Sequence, residues 1–332
     1  MNKKKVLIIT HTKDNNSVDA VINFIKESGS EVIRFDVDRY PLEISLTTLY
    51  DGGAWKVLFD DGKISTDLAD VTAIWYRRSY NLGDGLHNIL EAEYVIPAMG
   101  ELKRTLYGML DGLFCFQMER FSVYRRLDSK EEQLRMAMRH GLKVPATCIS
   151  NDPVEVKRFI RSQEKVVSKM QSSFSIYREK EEHVVFTSEI NEDHLEDMDT
   201  LKYCPMVFQE KIEKKLELRV TIVGNKIFSF SIDSQRVVNA KVDWRKEGVA
   251  LLEEWQPYEL PMTVQKKLLA FMDDYKLNYG AIDLILTPDD EYYFLEINAA
   301  GEYFWLDRLC NNLISKQIAA VLCGDAARRE AN

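Results

Sequence analysis

Two short runs near the C-terminal end, AIDLIL (281–286) and EYYFLEIN (291–298), restrict the fold more than any other feature of the chain. Separated by TPDD, they read as the two strands of a hairpin. A two-residue loop at Asp289 and Asp290 pairs Asp283 with Glu296 and Ala281 with Asn298. Because side chains alternate along a strand, Asp283, Glu296 and Asn298 then share one face. The opposite face carries Ile282, Leu284, Leu286, Tyr293, Leu295 and Ile297, and so demands a helical layer beneath it. Two carboxylates facing each other repel unless a cation lies between them. A hard divalent ion such as magnesium suits them, since it takes one or two carboxylates and completes its shell with water and phosphate oxygens. The alternative is a solvated sheet face whose acids are unrelated.

The N-terminal part has a different pattern. KKVLIIT, SVDAVINFIKESGS and EVIRFD form a strand, an amphipathic helix and a second strand, the β-α-β opening of a parallel sheet. The intervening turn HTKDNNS contains no glycine, which argues against a dinucleotide site of the GxGxxG kind. From 42 to 78, alternating runs broken by Asp51-Gly52-Gly53 and Asp61-Gly62 predict antiparallel hairpins attached to that sheet, with TAIWYRR as the last run. A helix over 91–112 closes a first lobe, 1–120. Ser129 and Glu132 have capping-box spacing, Gly141 is a helix stop, and Asp152-Pro153 starts a further helix. These elements, the strand EKVVSKM and a hairpin and loop within 171–200 make a central lobe, 121–206. Antiparallel strands and the helix TVQKKLLAFMDDY then make a C-terminal lobe, 207–332. The fold class is α/β (α+β).

Composition removes several functions. Basic residues number 44 against 53 acidic, a net charge of -9, which disfavours general binding to nucleic acid or to an anionic membrane. No run approaches the roughly 18 apolar residues that span a bilayer, and MNKKKVLIIT is too short for a signal-peptide core. A cytoplasmic protein is the expectation. The five cysteines are widely spaced without CxxC, and the five histidines show no HExxH spacing, so a thiolate or imidazole metal centre is not expected.

Other residues fit the carboxylate pair to a nucleotide. Lys169 follows the apolar strand EKVVS, where phosphate pairing accounts for a cation, and snorkelling from a strand end is the alternative. Lys130 lies in the first turn of a helix, against the dipole preference; an anion bound there, or simple exposure beside Glu131 and Glu132, explains it. Glu217 and Arg219 share a face of ELRVTIVG and suit sugar hydroxyls and phosphate, or a cross-strand ion pair.

In this order, Lys130, Lys169, the strand VFQEKI, Glu217, Asp283, Glu296 and Asn298 resemble the ATP-grasp superfamily of carboxylate-amine ligases. FDVDRYP (35–41), IWYRR (74–78), ELRVTIVG and EINAAGEYFW narrow the resemblance to the microviridin-type graspetide macrocyclases, over nearly the whole chain. It implies an ATP-grasp fold with an N-terminal parallel-sheet lobe, a central lobe and a C-terminal antiparallel-sheet lobe. It implies ATP and Mg2+ as cofactors. Lys130 and Lys169 would contact phosphates, Gln209, Glu210, Lys211 and Ile212 would hold adenine, Glu217 the ribose, and Asp283, Glu296 and Asn298 the metal. Arg219, with Lys169, would support the transferred phosphate.

The implied reaction phosphorylates an Asp or Glu side chain of a precursor peptide, and a Thr or Ser hydroxyl (lactone, preferred) or a Lys amine (lactam) then closes a ring. The implied partners are that peptide, leader and core, and a second copy in a homodimer. Glu189, Glu192 and Asp193 are candidates for a leader arginine, and Arg77 and Arg78 for substrate carboxylates or for structural pairing with acids. The sequence departs from its relatives in lacking a glycine-rich loop after Lys169, and in carrying Ala299 where proline is frequent and Glu302 where glutamine is usual. Two alternatives are a ligase that adds an amino acid to a protein or peptide, and a non-catalytic nucleotide-binding module.

Overall fold

A computed structural model describes residues 3–14, 16–171, 175–178, 181–184, 187–196, 198–234 and 252–330. The chain opens with β1 (Lys5–Thr10), α1 (Asn16–Glu27) and β2 (Glu31–Asp36), the two strands parallel and paired from Lys5 and Glu31 to Thr10 and Asp36. Helix α1 buries Val18, Val21 and Ile25, the stripe that its apolar spacing foretells. Three strands follow, β3 (Ser45–Asp51), β4 (Ala54–Asp60) and β5 (Ser65–Asp67), in an antiparallel sheet of their own. At the β3–β4 turn Gly52 and Gly53 adopt φ of 56° and 81°, a left-handed backbone that a tight hairpin turn requires.

The run at 73–76 departs from expectation. It forms β6 (Ala73–Tyr76), which lies parallel to β1 rather than in the hairpin group. All four of its residues are buried, which suits an interior strand of a parallel sheet and not a half-exposed hairpin. After α2 (Ala92–Gly112), β7 (Phe116–Gln117) completes the sheet in the order β2-β1-β6-β7.

Next come α3 (Phe121–Leu127), α4 (Lys130–Arg139), β8 (Thr147–Ser150), α5 (Pro153–Ser162), β9 (Val166–Lys169), β10 (Ser175–Arg178), β11 (Glu181–Val184), β12 (Ser188–Glu189), α6 (Glu192–Glu196) and β13 (Met206–Glu210). Strands β12-β9-β13-β8 form one sheet, and β10 and β11 pair as a separate hairpin. Only half of the capping box forms. Ser129 Oγ accepts the Glu132 N–H at 3.2 Å, whereas the Glu132 carboxylate turns to Arg126 at 3.0 Å and Arg135 at 2.6 Å.

The last sheet holds β14 (Leu216–Val223), β15 (Lys226–Ile232), β16 (Gln256–Pro257), and, after α7 (Met262–Tyr275), β17 (Tyr279–Leu286) and β18 (Tyr292–Asn298), in the order β16-β15-β14-β17-β18. Helices α8 (Phe304–Asp307) and α9 (Leu313–Cys323) end the chain. One sheet face is apolar: Leu218, Val220, Ile282, Leu284, Phe294 and Ile297 pack on Leu268, Phe271 and Met272 of α7 and on Met136 of α4. Burial of each such side chain contributes about 1.5–3 kcal/mol. A second core joins α1 to α9, with Val21 and Ile25 in one cluster with Ile314, Ile318 and Leu322. Below β7, Glu119 bridges to β17 by accepting the Tyr279 N–H at 2.6 Å. Burial holds its carboxyl well above the usual carboxylate range, against the pull of that hydrogen bond and of Arg77.

The β17–β18 hairpin differs from its predicted form in two places. Its loop has three residues, Pro288 to Asp290, closed by the Thr287 N–H donating to Glu291 O at 2.9 Å, with Asp290 at φ 60°. Further along, the register shifts between Asp283 and Leu284: Leu284 pairs with Phe294 and Asp283 with Glu296, which leaves Leu295 in a bulge. The two extra residues compensate, and the predicted pairs of Asp283 with Glu296 and Ala281 with Asn298 are present. The core assignments change. Tyr292 and Phe294 take the apolar face in place of Tyr293 and Leu295.

Among the described residues no helix is long and apolar enough to cross a membrane. All five cysteines are free, Cys323 buried and Cys204 exposed.

Candidate functional site

The polar face of β14, β17 and β18 looks across a cleft at β9 and β13. Lys169, Gln209, Glu210, Lys211, Ile212, Glu217, Arg219, Asp283, Glu296 and Asn298 line this one cavity. Residues singled out over a span of more than a hundred positions thus converge, because two sheets from different parts of the chain face each other.

Each side chain is held. Arg219 and Asp283 are register partners on β14 and β17, and Arg219 Nη1 lies 2.7 Å from Asp283 Oδ1. The other side of the Arg219 guanidinium lies over the Trp305 ring, 5.7 Å from its centroid. Lys130 reaches in from the first turn of α4 and its Nζ is 2.5 Å from Glu296 Oε2. The dipole cost of a lysine at that position is therefore offset by a carboxylate. Asn298 Oδ1 accepts the Ala300 N–H at 2.8 Å, which orients the amide. Lys169 Nζ donates to Gln209 Oε1 at 3.1 Å, and Gln209 in turn donates to Thr147 Oγ1 at 2.9 Å. Glu217 accepts from Lys214 Nζ at 3.0 Å and from Ser234 Oγ at 2.6 Å.

Lys214, Thr187, Val167, Ile285 and Leu295 also line the cleft, and sequence reasoning passes over them. Lys214 has one legible signal, its three-residue spacing from Glu217. The apolar residues have none, since an exposed-face valine or isoleucine reads as core until the second sheet is in place.

The donor set fits a hard cation. Asp283 and Glu296 bring carboxylates from adjacent strands and Asn298 an amide oxygen, with Arg219 and Lys130 balancing charge. Among the described residues no three His, Cys, Asp or Glu side chains gather to enclose a metal. A cation here therefore needs further oxygens from a ligand, the usual situation of magnesium beside phosphates.

Arg77 and Arg78 lie apart from the cleft lining. Arg77, 1% exposed, donates to the carbonyl of Ala300 and through Nη2 to Glu302 at 2.8 Å. Arg78 pairs with Glu302 and donates to Ala300 O at 3.2 Å. Both face Asp14, at 3.7 and 4.0 Å. Of the two readings of this pair, the structure displays the structural one: they clamp the turn that follows Asn298, and the charge of Glu302 is neutralised there. Glu189 is exposed and pairs with Lys211, Asp193 is exposed on α6, and the side chain of Glu192 lies outside the described residues. Of these acids Glu189 stands beside the cleft wall, through its pairing with Lys211.

Residues 5–137 match the family model of the MvdD pre-ATP grasp domain. A RiPP-associated ATP-grasp ligase from Chryseobacterium gregarium, solved in complex with ADP and a leader and core peptide, is 51% identical, with a TM-score of 0.96 and 99% of each chain covered. The macrocyclase MdnC from Microcystis aeruginosa MRC, solved with precursor peptide MdnA, is 40% identical, with a TM-score of 0.87 over 96% of this chain and 99% of that one. MdnB from the same organism, also a macrocyclase, is 32% identical, with a TM-score of 0.81 and the same coverage. No curated protein matches. The chain belongs to the RiPP-associated ATP-grasp ligases, the family of the macrocyclases MdnC and MdnB.

Proposed function

We infer that the protein is an ATP- and magnesium-dependent macrocyclase that joins side chains of a ribosomally made precursor peptide, with lactones preferred over lactams. The observation that carries this reading is the single cleft in which Lys169, Gln209 to Ile212, Glu217, Arg219 and the Asp283–Glu296–Asn298 trio meet. The peptide-bound relatives support the substrate class.

In this reading Val167, Ile212, Ile285 and Leu295 wall an adenine ring, Gln209 to Ile212 supply backbone hydrogen bonds, and Glu217 accepts from the ribose. Lys169 and Lys130 draw in phosphates. Asp283, Glu296 and Asn298 hold magnesium, which when bound spreads the phosphate charge during transfer. Arg219, fixed between Asp283 and Trp305, faces the charge that develops on the transferred phosphoryl group. The peptide's acid becomes an acyl-phosphate, and a hydroxyl of the same peptide displaces phosphate. Glu189, Glu192 and Asp193 offer a surface for a basic leader residue. In this reading each chain has three lobes, 1–120, 121–206 and 207–332, and two copies of the chain form a cytoplasmic homodimer.

Intact mass spectrometry tests it. An acidic, Thr/Ser-rich precursor peptide encoded beside the gene, incubated with protein, ATP and magnesium, should lose the mass of one water per ring. Mild base should then reopen a lactone and spare a lactam. Gain of an amino-acid mass would replace this reading with the tail ligase, and ATP binding without ADP release whatever the peptide would replace it with a non-catalytic module.

A further inference from the structure

The N-terminal sheet has a switch point that the nucleotide cleft does not use. In the order β2-β1-β6-β7, the chain leaves β1 to one side through α1 and later adds β6 on the other. Parallel sheets of this kind bind ligands in the crevice at the carboxyl ends of such a strand pair. Here β1 leads directly into His11, and β6 into Arg77 and Arg78.

This crevice abuts the cation trio. The N–H groups of Arg77 and Arg78 both donate to Ile9 O, at 2.9 and 3.2 Å, which sets the two strand ends side by side. Arg78 continues to Ala300 O at 3.2 Å, and the Ala300 N–H to Asn298 Oδ1 at 2.8 Å. The backbone of His11 is pinned as well, its carbonyl accepting from Arg34 Nη2 and from the Asp14 N–H, each at 3.1 Å. Its ring leans on Tyr80 with centroids 5.8 Å apart, and Tyr80 carries the Arg78 guanidinium 5.4 Å from its centroid. Both ring nitrogens of His11 are buried and neither has a hydrogen-bond partner among the described residues. Burying an imidazole with both nitrogens unpaired is costly, so a partner for one of them, a water or a ligand group, is stabilising here.

We propose that this crevice receives the attacking hydroxyl of the peptide and that His11 is the catalytic base for ring closure. The proposal rests on the macrocyclase reading. The hydroxyl oxygen bonds to the acyl carbon, the bond from that carbon to the phosphate oxygen breaks, and inorganic phosphate leaves with its electron pair. The hydroxyl proton passes to a His11 ring nitrogen and from there to the departing phosphate. Thr10 and Asp14, bonded at 2.9 Å, and the two arginines keep the strand ends in place while the base works.

The experiment separates the two chemical steps. His11→Gln and His11→Asn are assayed with the precursor peptide, ATP and magnesium, with and without hydroxylamine, which traps an acyl-phosphate as a hydroxamate without needing a base. Ring closure should fall about 100-fold or more, the usual contribution of a general base. Hydroxamate on the peptide should form at close to the wild-type rate, and added imidazole should restore part of ring closure to His11→Ala. Ring closure at the wild-type rate in a variant that melts like wild type overturns the assignment. So does a parallel loss of hydroxamate and ring, which would make His11 a residue of the fold or of the phosphorylating site. If wild-type protein yields neither ring nor hydroxamate, the macrocyclase reading itself fails, an outcome visible without any variant.

Discussion

At the residue scale, the site is a set of charges tied to one another before any substrate arrives. Glu296 is bonded to Lys130, and Asp283 to Arg219. Glu296→Gln keeps the shape and removes one charge from the trio. Turnover should drop at least about 100-fold, the loss of a few kcal/mol of charge stabilisation, with the melting temperature nearly unchanged. Unaltered ATP turnover would remove Glu296 from the cation site. Arg219→Ala should lower kcat about 100-fold while ADP affinity, read by calorimetry, changes little. A loss confined to nucleotide affinity would make it a binding residue. These residues were legible because acids, amide and cations on one strand face have no packing role. Arg77 and Arg78 were ambiguous for the converse reason: a buried arginine pair is defined by partners such as Ala300 and Glu302, more than two hundred residues away.

At the element scale, the turn after β18 is the tightest part of the site. A side chain at Gly301 would place its Cβ 2.4 Å from Ala281 Cβ and 3.3 Å from Asn298 O. Gly301→Ala should therefore force β17 and the turn apart, at a cost of about 1–3 kcal/mol seen in urea denaturation. Magnesium-dependent ADP affinity should fall with it, since Asn298 lies within the displaced segment. A variant as stable as wild type would mean that the turn is slack. Strand β6 shows what local reading misses. Asp-Gly turns on its N-terminal side suggested another hairpin, but burial on both faces selects a parallel neighbour that lies sixty-odd residues earlier in the chain.

At the scale of the molecule, the N-terminal and C-terminal sheets are joined by buried polar links as well as by the α1–α9 core. Glu119 is one of them, and its carboxyl is pushed well above its ordinary range by burial. The folded state thus holds the proton more tightly than the unfolded chain. Stability from this group is present below the usual glutamate range and is lost as pH rises through the folded value. Glu119→Gln cannot titrate. Its melting temperature should exceed that of wild type at pH 8, and the difference should vanish near pH 4. Equal pH dependence in both proteins would show that Glu119 is charged when folded. The two-sheet arrangement also explains why the apolar wall of the cleft was invisible in the sequence: Val167 and Ile285 become neighbours only when separate sheets meet.

The bulge at Leu295 has a consequence for how this cleft can vary. An added residue in a strand ordinarily reverses the parity of everything beyond it. Here Leu295 and Glu296 both turn to the cleft, so Ile297 and Asn298 keep the sides that an unbulged strand would give them. Deleting Leu295 would therefore leave the acids and amide in phase while removing one apolar surface, so nucleotide affinity should fall without loss of the cation trio. The chain can thus lengthen or shorten at this point and change what the wall grips while the chemistry stays in step.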